Sequence, residues 1–165
     1  MKPVKNINLL TKKEFLSFFG NIFEKSDWIA NEVFNFKPFK DSNDLIMKMM
    51  NIYENSKDEM IIKIFNLHPQ LAIEKTLTSF SSKEQTGAKL NDCSKEELKE
   101  FERLNADYKK KFGFPFIIAV KGKNKSEILN NFRHRIKNNS KIEFDEAKIQ
   151  VKKIASARLE EILEI

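Results

Sequence analysis

The stretch Ser94-KEELKEFERLNADYKKKF-Gly113, followed by Phe114-PFIIAVK-Gly122, decides the fold class. Its first part carries both ends of a helix in plain text. Ser94 stands three residues before Glu97, the pattern in which a hydroxyl caps the helix amides and a carboxylate reaches back to the cap. Leu98, Phe101, Leu104, Asn105 and Tyr108 then fall on one face at helical spacing. Lys109, Lys110 and Lys111 gather where cations complement the helix dipole, and Gly113 stands where a left-handed residue ends a helix. The second part does not read as helix. It is short, apolar and bounded by Gly and Pro, like a buried extended segment. Its backbone amides have no sheet to join, so they require other partners, and a ligand is one of them.

Elsewhere the pattern is helical. Only 4 Gly and 4 Pro leave little material for tight hairpins, and 15 Phe against 2 Tyr and 1 Trp point to a core filled largely by phenylalanine. Thr11 and Glu14 form a second capping-box pattern, opening a helix through Phe15, Phe18, Phe19, Ile22 and Phe23 to about Lys25. Further helices are expected from the Asp27 cap to before Pro38, from Ser42 through Tyr53, from Lys57 to Asn66, from Leu71 to Leu77, and from Ser81 to Leu90. Ser126 is read as the cap of another, Glu127 to Asn138, and the last runs from Glu143 to about Ile162. The expected architecture is an all-α, single-domain multi-helix bundle over residues 1–165, with one short extended segment near 114–120.

The balance of charge gives +6 at pH 7 with a pI near 9.3. The lysines are interspersed with glutamates along every helix, whereas a nucleic-acid surface calls for a clustered basic face. Neither nucleic acid nor membrane is expected as a partner, since no apolar run approaches membrane-spanning length. Cys93 is the sole cysteine and cannot form an internal disulfide; its acidic neighbours Asp92 and Glu96 should raise the thiol's pKa. With no apolar signal core behind Met1-Lys2-Pro3-Val4 and no peroxisomal tripeptide at the C-terminus, a cytoplasmic protein is expected. No Gly-rich phosphate loop and no His/Cys cluster with metal spacing is present, so no metal site is expected.

Two positions carry chemistry. His68, one of two histidines, precedes Pro69, which pushes it out of helical geometry at the broken end of a helix. Imidazole titrates nearest neutrality and can give or take a proton there. The other histidine, His134, lies off the apolar face of its helix and reads as solvated. Arg158 interrupts the apolar stripe Phe144, Ala147, Val151, Ile154, Ile162 of the last helix. A guanidinium there needs an anion: a core glutamate, or the carboxylate of a substrate. Ser81 and Glu84 read on pattern alone as a capping box, since such boxes far outnumber active sites.

Taken in order, His68-Pro69 with Leu71-Ala72, Ser81-x-x-Glu84-Gln85, Leu104-Asn105-x-x-Tyr108, Lys111-Phe112-Gly113-Phe114-Pro115-Phe116 and Arg158-Leu159 resemble the OHCU decarboxylase family. OHCU is 2-oxo-4-hydroxy-4-carboxy-5-ureidoimidazoline, an intermediate of urate breakdown. The resemblance implies an all-α homodimer that converts OHCU to (S)-allantoin and CO2 without metal or organic cofactor. It implies His68 as the catalytic histidine and Glu84 as its partner. Pro69, Ser81, Gln85 and Arg158 match substrate-contacting positions. Phe116, Ile117, Ile118, Ala119 and Val120 match a stretch whose backbone binds the substrate. Gln70 departs from the charged residue expected after His-Pro. Two rival readings stand beside this one: a basic helical module for nucleic acid or protein, and a decarboxylase of a related purine catabolite.

Overall fold

The computed structural model describes residues 4–164; Met1, Lys2 and Pro3 of the expected leaderless N-terminus and the terminal Ile165 lie outside them. Among the described residues there are helices and turns and no strand. The elements are α1 (Val4–Leu9), α2 (Lys12–Phe19), α3 (Trp28–Phe34), α4 (Ser42–Glu54), α5 (Asp58–Leu67), α6 (Ser79–Gly87), α7 (Lys95–Phe112), α8 (Lys125–Arg135) and α9 (Ser140–Leu163). The chain forms two compact units: residues 1–67 with 152–165, and residues 68–151.

In the first unit, α3 packs on both α2 and α4. Its core is aromatic, as the composition requires: Phe15, Phe19, Phe23, Phe39, Tyr53 and Phe65 are all at most 3% exposed. Phe15 and Phe19 stand 4.6 Å apart on successive turns of α2, and Phe23 stacks on Tyr53 at 4.8 Å. The Thr11–Glu14 capping box forms at both of its hydrogen bonds. α2 is shorter than its apolar pattern suggests. It stops at Phe19, where the Gly20 amide donates to Leu16 O, and Ile22 and Phe23 are buried from the turn beyond. Burial of apolar residues continued past the helix, so the periodicity did too. Asp27 precedes α3 without capping it, and Asp41, one residue before the expected Ser42, caps α4 through Asp44 N.

The second unit is built round α7, which packs on α8. The Ser94–Glu97 box forms, and Gly113 ends the helix at φ 80°. That left-handed backbone favours glycine, so Gly113→Ala should cost about 1 kcal/mol, read as a lowered midpoint in urea denaturation. Around Tyr108 sit Phe112, Phe114, Phe116 and Phe132, with Phe116 and Phe132 stacked at 3.9 Å and 9°. Residues 115–120 are neither helix nor strand, as expected.

Three expectations fail here. Residues 71–77 form turns rather than a helix. α6 begins earlier than expected, with Thr78 rather than Ser81 as its cap; the Thr78 side chain accepts from Ser81 N, so Ser81 lies within the first turn. α8 is capped by Asn124 in a box with Glu127, and it stops at Arg135 rather than Asn138. For α6 and α8 a neighbouring side chain of the same capping type won the position, because Ser, Thr, Asn and Asp differ little as caps.

Candidate active site

α5 ends at Leu67, and His68-Pro69 leads directly into a turn, as the proline dictates. His68 is 9% exposed, Ser81 3% and Gln85 6%, while Pro69 and Glu84 are partly exposed. Each of these three polar side chains, His68, Ser81 and Gln85, is buried, and burial strengthens every hydrogen bond it makes.

The turn after Pro69 is pinned at a single peptide. Ala72 N donates to Gln85 Oε1 at 3.0 Å, and Leu71 O accepts from Asn105 Nδ2 at 3.1 Å. Thus α6 and α7 grip the two ends of the Leu71–Ala72 peptide from opposite sides. Ala72 itself sits at φ 66°, a left-handed backbone that alanine adopts at a cost. Gln85 Nε2 is buried and has no hydrogen-bond partner among the described residues. A buried donor left unpaired calls for an acceptor brought by something else.

The extended segment is anchored separately. Phe116, Ile117, Ile118 and Val120 are buried and Ala119 is partly exposed. Ile117 O accepts from Arg135 Nη1 at 2.7 Å, and Ala119 N donates to Gln150 Oε1 at 2.9 Å. Between these anchors, nothing among the described residues hydrogen-bonds to the backbone of Ile118. So two of the segment's backbone groups find side-chain partners, and the residue between them keeps its amide and carbonyl unspent.

Arg135 belongs to a buried network that sequence reasoning missed. It is 5% exposed, pairs through Nη2 and Nε with Glu143 Oε1 at 2.6 and 3.0 Å, and lies over the Phe116 ring at 4.5 Å. Glu143, fully buried, also accepts from Tyr108 Oη and, at 2.9 Å, from Asn138 Nδ2. Burial and this hydrogen bond to a carboxylate hold the Tyr108 phenol well above its ordinary pKa. The signal was present: Arg135 falls three residues after Phe132 and seven after Ile128, on the inward face of α8. Its neighbour His134 is exposed, as expected.

Arg158 is 2% exposed and lies in the first unit. Its Nη2 pairs with Glu24 Oε2 at 3.0 Å, and Nη1 donates to Asn21 O at 3.2 Å and Ile22 O at 3.3 Å. The core glutamate named as one of its two possible anions is therefore present; Glu24 is 1% exposed. The Cys93 thiol is pushed up as expected, but burial is the largest cause, followed by Glu97 rather than the expected Glu96, with Lys125 opposing and Asp92 adding. No group of metal-ligating side chains occurs among the described residues, and no described helix is long and apolar enough to cross a membrane.

The family model described as OHCU decarboxylase matches residues 8–160. The chain belongs to the OHCU decarboxylase family. Its match runs through both compact units. A 2-oxo-4-hydroxy-4-carboxy-5-ureidoimidazoline decarboxylase of Haloferax volcanii is 32% identical over 96% of this chain and 94% of its own. A uric acid degradation bifunctional protein of Bacillus sp. (strain TB-90) is 39% identical over 98% of this chain. The chain spans about a third of that bifunctional relative's length, 32%. A crystal structure of OHCU decarboxylase in the presence of (S)-allantoin superposes with a TM-score of 0.74 at 26% identity, over 88% of this chain and 97% of that one. The helical architecture is thus the family's own.

Proposed function

We propose that this protein decarboxylates OHCU to (S)-allantoin and CO2 in urate degradation, as a single family domain. Family membership over residues 8–160 carries the reading, and the unpaired Gln85 donor beside the His68 turn supports it. The substrate's carboxylate leaves from a carbon that bears a hydroxyl and adjoins a C=N bond. The electrons of the broken C–C bond move into that C=N, so the substrate supplies its own electron sink and no metal or organic cofactor is required. The ring nitrogen that receives those electrons takes up a proton, the hydroxyl carbon becomes a carbonyl as its O–H proton departs, and the neighbouring carbon is protonated. His68 takes the hydroxyl proton or steers it, with Glu84 orienting the imidazole. Gln85 and Ser81 hold polar atoms of the substrate beside Pro69, and the 116–120 backbone holds the ring and ureido groups at Ile118. Protonation from one face fixes the product's handedness. We propose further that the protein is cytoplasmic and works as a homodimer.

The test is to generate OHCU in situ from urate with the two preceding enzymes and to follow circular dichroism. Optically active allantoin should appear faster than in the enzyme-free control; racemic product at the control rate would exclude the reading. A basic binding module would instead show salt-steep affinity and indifference to His68.

A further inference from the structure

We infer that Asn105 is a positioning residue for the decarboxylation, acting through the Leu71–Ala72 peptide on the amide of Gln85; the inference rests on the activity proposed above. A primary amide has two orientations of nearly equal shape, and they differ in which atom, donor or acceptor, faces a ligand. For Gln85 the choice is made by Ala72 N–H, which takes Oε1 at 3.0 Å and leaves Nε2 buried and unpaired. That places a hydrogen-bond donor, the polarity suited to a carboxylate or carbonyl oxygen, beside the His68-Pro69 turn.

The orientation of the Leu71–Ala72 peptide is itself a choice. Its C-terminal residue stands at φ 66°, and turn peptides of this kind can rotate about their flanking bonds. Rotated, Leu71 O would face Gln85, the amide would turn its NH2 inward, and an oxygen would face the substrate's anionic groups. Asn105 prevents this. It is 1% exposed, and its Nδ2 donates to Leu71 O at 3.1 Å and to Phe101 O at 2.8 Å, so the side chain is fixed to its own helix while it holds the peptide. Its Oδ1 is buried without a partner. An amide that leaves its own acceptor unsatisfied is a poor choice for stability alone, which favours a reading in terms of what its donor holds.

The test is a double-mutant cycle on kcat/KM with OHCU generated in situ, using Gln85→Ala, Asn105→Ala and the double variant, with a thermal midpoint for each. The parent is assayed first: a parent no faster than the enzyme-free control refutes the decarboxylase reading itself. With an active parent, each single variant should lose roughly tenfold, and the double variant should lose no more than Gln85→Ala alone, because Asn105 has nothing left to act through. Losses that multiply, or an Asn105 variant with parental kcat/KM, overturn the inference. Where Asn105→Ala does not fold, Asn105→Asp keeps the volume, removes both donations and carries the same cycle. If neither folds, Asn105 serves the fold and the inference is withdrawn.

Discussion

His68→Ala is expected to slow enzymatic decarboxylation by about 100- to 10,000-fold, the range a positioned acid/base supplies. The expectation follows from place and chemistry together. α5 ends at Leu67, directly before His68-Pro69, and the imidazole is 9% exposed ahead of a turn that α6 and α7 clamp. Circular dichroism of in situ OHCU turnover gives the rate, and a thermal midpoint taken beside it separates lost chemistry from lost fold. Gln85→Ala should fall less, since a single hydrogen bond contributes about 1 kcal/mol. A His68→Ala protein as fast as its parent would remove the imidazole from the reaction.

The largest loss of stability is expected at Glu143. Truncation to alanine strands Arg135 in the interior, together with Tyr108 Oη and Asn138 Nδ2. Removing one partner of a buried ion pair costs about 3–5 kcal/mol. For a chain of this length that lowers the midpoint by roughly 10 °C. The paired replacement Arg135→Met with Glu143→Leu should recover most of the loss, because it removes both charges at once. It should not restore turnover, however, if the 116–120 backbone binds substrate as proposed, since Ile117 O loses its 2.7 Å anchor with Arg135. Urea denaturation and the turnover assay on the same two proteins separate these effects.

What was legible in the sequence, and what was not, follows from the range of the forces involved. The Ser94 box, the Gly113 end of α7 and the break at His68-Pro69 depend on residues a few positions apart, and all three appear as read. The extended segment was found because its composition is foreign to helices. Misplaced caps at Ser81 and Ser126 reflect near-equal competitors three and two residues away, Thr78 and Asn124. The supposed helix over residues 71–77 gave way to turns, and one of its peptides is held by Gln85 and Asn105, side chains 13 and 34 positions along. No local pattern announces such a contact. Arg135 and Glu143 were missed for a different reason. The test that singled out Arg158, a cation on an apolar face, applies equally to Arg135, but its neighbours Arg133 and His134 made the whole run look solvated. Arg158 itself has Glu24 against it, which accounts for its burial whatever else it touches.

The phenylalanine-filled interior leaves the chain almost dark in the near ultraviolet, and this gives each compact unit its own reporter. The sole indole, Trp28, lies in the unit of residues 1–67 and 152–165, while Tyr108 is the one phenol within residues 68–151. Tryptophan emission therefore follows melting of the first unit, and a Tyr53→Phe protein would let phenol absorbance follow the second. Curves that coincide would mark one cooperative unfolding event, and curves that separate would mark two.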